Sequence, residues 1–216
     1  MDEMIGQILE YLNKRGLREN TIVIFQSDHG HSTEQRTFGG GGSAGKFRGA
    51  KFSLFEGGIR VPGLIEWPGK IKPQVTDFHA STMDIMPTLI DLLDLPKDSM
   101  LDVVDGESIV PLFSGSTPQR TRPIYFGNKG MAVIDGRYKL VKIGRGKGPK
   151  WQLYDLEEDP AETTDLVTKF PERVEKMKAE AISASIDASE LGKDYPEGKV
   201  LQPQRSAMWN KMPEYQ

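Results

Sequence analysis

Four side chains that can bind a metal ion or an anion lie in one glycine-rich stretch, residues 21–62. Asp28 and His29 are adjacent, and carboxylate and neutral imidazole are both metal ligands, with hard oxygen donors favouring Ca²⁺ or Mg²⁺. Lys51 supplies a cation that could hold an oxyanion, and His31 follows closely after the Asp-His pair. Taken alone, Asp-His-Gly is more often a polar turn, and a single lysine is more often a solvated side chain.

The elements around this stretch indicate how its polar residues would be positioned. The apolar run Ile22–Phe25 predicts a strand buried on both faces of a parallel sheet, and ligands bind beyond the carboxyl ends of such strands. Apolar spacing over residues 3–14 predicts a helix that stops near Gly16. Because a helix followed by a strand is the second half of a βαβ crossover, we expect a strand before Met1, as in an N-terminally truncated chain.

Seven short motifs occur in a consistent order over roughly residues 1–170. They are Ser27–Gly30, Arg48–Lys51, Glu56–Pro62, Trp67–Gly69, Asp84–Leu89, Asp105–Ser108 and Leu153–Leu156. Together they resemble the signatures of the formylglycine-dependent, arylsulfatase-like sulfatases of the alkaline phosphatase superfamily. Several motifs in one order are far more specific than any one of them.

The resemblance implies roles for the polar residues. Asp28 and His29 would be ligands to a divalent ion, Ca²⁺ in preference to Mg²⁺, and Lys51 would contact the sulfate group of a sulfate-ester substrate. His31 has no secure role in the family; it is a weak candidate for substrate contact, and an exposed loop histidine is the preferred alternative. The nucleophile in this family is a formylglycine made from a Cys or Ser.

The segment that would carry this nucleophile is not in the sequence. The chain has no cysteine and no Ser-x-Pro-Ser-Arg segment, and the two early acidic metal ligands of the family have no counterpart. Because covalent catalysis needs an activated nucleophile, we expect the chain alone to be inactive, with a missing N-terminal half as a possible partner. Two alternatives stay open, namely a non-catalytic remnant or binding module and a phosphate-ester hydrolase of the same superfamily.

Composition excludes some partners. The formal net charge of −3 provides no overall basic field for nucleic acid. No apolar run approaches the roughly 20 residues of a membrane span. The N-terminus lacks the pattern of a signal peptide, although members of the family are commonly exported. The sequence therefore assigns no cellular compartment. The basic run 139–150 could bind an anion, but it is better interpreted as a solvated hairpin loop.

The predicted class is α/β, the trailing part of a sulfatase-like α/β/α sandwich followed by a small antiparallel subdomain. We expect residues 1–120 to form the end of the catalytic domain, 121–190 a small antiparallel β-sheet plus helix, and 191–216 an extended tail. Asp135-Gly136 is a hairpin signal between two of four predicted strands. Residues 171–188 predict a helix whose thin apolar stripe indicates a surface position.

Overall fold

The computed structural model describes residues 1–34, 40–96, 98, 104–116, 118–127, 130–143 and 150–194, with side chains described up to residue 184. Its elements, in chain order, are α1 (Asp2–Lys14), β1 (Val23–Gln26), α2 (Glu56–Ile59), β2 (Gly63–Glu66), α3 (Ile85–Leu92), α4 (Val110–Phe113), β3 (Ile124–Gly127), β4 (Met131–Asp135), β5 (Tyr138–Ile143), β6 (Lys150–Asp155) and α5 (Pro171–Asp194). Since α5 extends to Asp194, the predicted tail begins as helix, and its remainder, 195–216, lies outside the described residues.

The four strands predicted after residue 120 form one antiparallel sheet in the order β3-β4-β5-β6. The predicted hairpin is confirmed, because Asp135 pairs with Tyr138 and Gly136 between them has a φ of +59°. A glycine with positive φ as the first central residue of a two-residue loop matches the twist of the strands that it joins.

One face of this sheet packs against α5. The shared core consists of Val133, Leu140, Leu153, Val174, Met177 and Ala181. The prediction of a surface helix with a thin apolar stripe is confirmed, because only one face of α5 is buried, while charged residues such as Glu172, Glu175 and Lys176 are exposed. The small side chain of Ala181 extends the apolar stripe at helical spacing, and the next residue, Ile182, is exposed.

The opposite face of the sheet packs against the glycine-rich stretch. Leu54 and Phe55 contact the cluster of Ala132, Val141 and Tyr154. Ile59 and Met83 contact a neighbouring cluster that consists of Ile124, Ile134 and Leu156. The sheet therefore supports the segment that contains the candidate site residues.

The predicted helix α1 and strand β1 are present, but the prediction of a strand buried on both faces of a parallel sheet is wrong. Strand β1 pairs antiparallel with β2 in a two-stranded sheet, and Ile24, Phe25 and Leu64 are exposed. Within the described ranges, no residue of β1 or of α1 is fully buried. A parallel strand requires neighbouring parallel strands and covering helices, and the partner available to β1 here is the antiparallel β2. None of the described helices is long and apolar enough to cross a bilayer.

Candidate functional site

Asp28 and His29 follow directly after β1, and their side chains face each other. The Nε2 atom of His29 lies 3.2 Å from Oδ2 of Asp28, and its Nδ1 lies 2.7 Å from the carbonyl oxygen of Gly30. Because a carbonyl only accepts, Nδ1 is the donor in this hydrogen bond, and Nε2 is the ring nitrogen that faces the carboxylate. A second ring nitrogen that is hydrogen-bonded to a carbonyl is the usual support of a metal-ligating histidine.

The donor set of this pair therefore fits a divalent ion, although it is only part of a coordination sphere. The side chain of Asp28 is 83% exposed, so its oxygens are accessible to an ion. No group of three or more potential His, Asp or Glu ligands occurs in the part of the chain that the structure describes. Asp28 and His29 would thus supply two ligands, fewer than the six or more that Ca²⁺ prefers.

Lys51 is the second residue of a tight turn, Ala50–Ser53. The turn is closed by a 2.9 Å hydrogen bond from the amide of Ser53 to the carbonyl of Ala50. The Nζ atom of Lys51 is 3.5 Å from Oε2 of Glu34 and 5.0 Å from the ring centroid of Phe52. With three donor hydrogens, the ammonium group can bind Glu34 and still donate to an anion.

One backbone hydrogen bond joins the segment that follows Asp28 and His29 to the turn that holds Lys51, and a second joins that segment to α2. The amide of Lys51 donates to the carbonyl of His31, and the amide of Gly30 donates to the carbonyl of Gly58, each at 2.9 Å. A Cβ atom at Gly30 would lie 1.9 Å from the carbonyl oxygen of Gly57. Glycine is required there because two segments of backbone touch, and this contact brings the predicted site residues into one region.

His31 lies at this junction, where its carbonyl accepts the bond from Lys51. Its Nδ1 atom is buried without a hydrogen-bond partner among the described residues. His31 is partly buried, so it is not the exposed loop histidine that was the preferred alternative. Contact between His31 and a substrate stays a prediction.

A buried ion cluster behind this region is absent from the sequence-based predictions. Lys139 is fully buried, and its Nζ lies 2.8 Å from both Oε1 of Glu56 and Oε1 of Glu162. The amide of Glu56 donates to Oε2 of Glu162 at 2.6 Å. Burial raises the pKa of Glu162, and the positive charge of Lys139 opposes that rise. The interpretation of the basic run 139–150 as a solvated loop is wrong for Lys139, while residues 144–149 lie outside the described residues.

This cluster connects the C-terminal sheet to the candidate site. Lys139 belongs to β5, and Glu56 is the first residue of α2. The next residue, Gly57, donates its amide to the carbonyl of Arg48 at 2.6 Å, and Gly58 accepts the bond from Gly30. Side chains alternate along a strand, so Lys139 lies on the same face of β5 as the buried Val141. This alternation was the sequence signal that could have indicated the burial of Lys139.

Two further motifs converge on another buried carboxylate, that of Asp84. Its two oxygens accept from Arg120 at 2.7 and 3.0 Å, and they also accept the amides of Ser81 and Glu107 at 2.7 and 2.8 Å. A Cβ atom at Gly106 would lie 2.0 Å from the carbonyl of the residue before Asp84. The segments Asp84–Leu89 and Asp105–Ser108 thus lock each other in place, and these contacts give them a structural role.

Comparisons with known proteins find sulfatases among the relatives of this chain. Residues 1–95 match the family model described as Sulfatase. The chain is 46% identical to the steryl-sulfatase of Rattus norvegicus over 53% of this chain and 20% of that protein. It is 30% identical to the arylsulfatase A of Homo sapiens over 88% of this chain and 43% of that protein.

The fold also has solved counterparts. A Bacteroides thetaiotaomicron structure described with the metabolism of multiple glycosaminoglycans superposes with a TM-score of 0.70 and 28% identity, over 85% of this chain and 42% of that one. This likeness confirms the predicted α/β class. The chain spans less than half the length of the relatives that it matches.

Proposed function

The chain belongs to the sulfatase family, and we propose that it supplies part of the active site of a sulfuric ester hydrolase. The observation that carries this proposal is the junction between the two candidate loops. The Asp28–His29 pair and the Lys51 turn come from separate motifs; one backbone hydrogen bond, from Lys51 to His31, joins the two segments, and a second, from Gly30 to Gly58, joins the first segment to α2. In this proposal, Asp28 and His29 would bind the metal ion and Lys51 would bind the sulfate group, which together would neutralise the negative charge of a sulfate ester.

Sulfatases are generally metal-dependent, and we propose Ca²⁺ as the ion for this site. Asp28 and His29 would hold it, and a bound divalent ion would withdraw charge from the sulfate oxygens. The hydrogen bond from His29 to the carbonyl of Gly30 orients the ring, so that Nε2 is available beside the carboxylate.

Lys51 would donate to an oxygen of the sulfate group. The carboxylate of Glu34 holds the ammonium group at 3.5 Å, and a sulfate oxygen would compete with that carboxylate for the same hydrogens. This arrangement restricts the motion of Lys51, so that less conformational entropy is lost when the anion binds.

Asp28, His29 and Lys51 would bind the metal ion and neutralise the charge of the sulfate group, but none of them would attack the sulfur atom. The sequence contains neither cysteine nor a Ser-x-Pro-Ser-Arg segment, so a formylglycine would have to come from another polypeptide segment. We therefore propose that the 216-residue chain binds sulfate without hydrolysing its esters.

The test is a titration of the isotopically labelled chain with inorganic sulfate in the presence of Ca²⁺, followed by the amide and side-chain resonances of Lys51. We expect saturable shifts that are lost in Lys51→Ala and weakened in Asp28→Asn. Aryl sulfate and aryl phosphate are assayed in parallel, and neither should be hydrolysed. Release of sulfate by the purified chain, or absence of any saturable shift, would contradict the proposal.

A further inference from the structure

Phe52, the residue after Lys51, has a backbone conformation that its residue type disfavours. It is the third residue of the turn that Ala50 and Ser53 close, and its φ is +71°. A turn with positive φ only at this position follows the type II pattern, which favours glycine because a Cβ atom crowds the backbone there. For a bulky side chain, such a φ is a genuine outlier.

The ring of Phe52 does not compensate for this strain by packing. Phe52 is 73% exposed, whereas the next aromatic residue of the segment, Phe55, is packed against other side chains. Phe55 packs edge to face against Tyr154, and its ring also lies 3.8 Å from the guanidinium of Arg48. The segment therefore buries one aromatic side chain against the sheet and presents the other to solvent.

The exposed ring is next to the cation of the candidate site. The Nζ atom of Lys51 lies 5.0 Å from the centroid of Phe52, so an anion held by Lys51 would have the ring as its neighbour. In a sulfate ester, the alcohol portion is one oxygen atom away from the sulfur. A group that is esterified to a sulfate on Lys51 would therefore lie close to the face or edge of Phe52.

We propose that Phe52 is a specificity-determining residue that selects sulfate esters of ring-bearing alcohols. This inference rests on the proposed function of Lys51. The group recognised is a flat apolar ring face, which an aryl ring or one side of a pyranose provides and a short alkyl chain does not. Aromatic rings prefer such partners in offset or edge-to-face contact, and the exposed ring of Phe52 is accessible to one.

The proposal also explains why a local rule is broken at this position. Glycine at residue 52 would remove the strain but would also remove the ring. Residues whose type disfavours their own backbone conformation are expected at functional sites. Lys51 and the metal ion would contact only the sulfate group, which every sulfate ester shares. Discrimination among esters therefore requires a second contact, and Phe52 is positioned to make it.

The experiment compares two probes, methyl sulfate and 2-naphthyl sulfate, on the labelled chain with Ca²⁺, using the amide resonances of Lys51. We expect the naphthyl ester to bind roughly 2- to 10-fold more tightly, as one aromatic contact provides. In Phe52→Gly and Phe52→Asn, which both suit a positive φ, the two esters should bind equally, while methyl sulfate binds as before. Phe52→Trp should keep the preference for the naphthyl ester.

The outcomes separate this inference from the proposed function. If inorganic sulfate binds and Lys51→Ala abolishes binding, but both esters bind the unmodified chain equally, Phe52 has no role in selection and the inference is wrong. A preference that survives in Phe52→Gly contradicts it as well. If no sulfate binds at all, the proposed function of Lys51 is wrong, and the inference falls with it. Thermal unfolding of each variant verifies that the chain is folded during the titration.

Discussion

Replacing Lys139 with Met removes a buried cation and keeps most of the apolar stem. In the intact chain, the ammonium group lies 2.8 Å from one carboxylate oxygen of Glu56 and 2.8 Å from one of Glu162, and it is fully buried. The substitution leaves two buried carboxylates without their shared counter-ion. Breaking a buried ion pair from one side costs about 3–5 kcal/mol, and we expect a loss of that size in the free energy of unfolding near neutral pH.

The loss should depend on pH. The pKa of Glu162 is raised in the folded chain, chiefly by burial, and removal of Lys139 removes the attraction that opposes this rise. A group whose folded pKa is raised contributes stability that is fully present below its unfolded value of 4.5 and is lost as pH increases through the folded value. The variant should therefore be most destabilised at neutral and alkaline pH and should recover as pH falls toward 4.5.

The assay is urea denaturation of both chains at about pH 7.5 and about pH 5, fitted for midpoint and slope. Lys176→Met is the matched control, because that lysine is 65% exposed and pairs with Asp135 at 3.7 Å, so it should cost less than about 1 kcal/mol. A Lys139→Met chain within about 1 kcal/mol of the unmodified chain at the higher pH, with an unchanged slope, would refute the argument. So would a loss that is equal at both pH values.

Three further predictions follow from contacts in the structure. Gly57→Ala places a Cβ atom 2.3 Å from a backbone carbonyl oxygen and should lower the unfolding free energy by at least about 1–3 kcal/mol, whereas Gly63→Ala, with no atom within 4 Å, should cost far less in the same denaturation assay. Arg120→Met leaves Asp84 buried without its bidentate partner and should cost about 3–5 kcal/mol; thermal unfolding that matches the unmodified chain would contradict this role. Asp28→Asn should weaken Ca²⁺ binding in a calorimetric titration while leaving the unfolding midpoint unchanged in metal-free buffer, because its side chain is 83% exposed.

Local patterns in the sequence were sufficient to predict the C-terminal sheet. Alternating apolar residues and the glycine after Asp135 act over a few residues, so the strands β3 to β6 and their hairpin follow from them. The surroundings of β1 could not be predicted in the same way. A continuous apolar run indicates a strand, but its burial depends on what other elements cover it, and the elements described here leave it exposed.

The order of the motifs in the sequence determined the family. It also identified Asp28 and His29 as candidate metal ligands and Lys51 as the candidate anion-binding side chain. These conclusions depend on residue types at short spacing, which the sequence contains directly. Only the tertiary structure decided that Lys139 is buried between Glu56 and Glu162. Glu56 lies 83 residues from Lys139 and 106 residues from Glu162 in the sequence. A charged side chain is buried when folding brings its counter-ions to it from distant segments, and no local pattern records such an encounter.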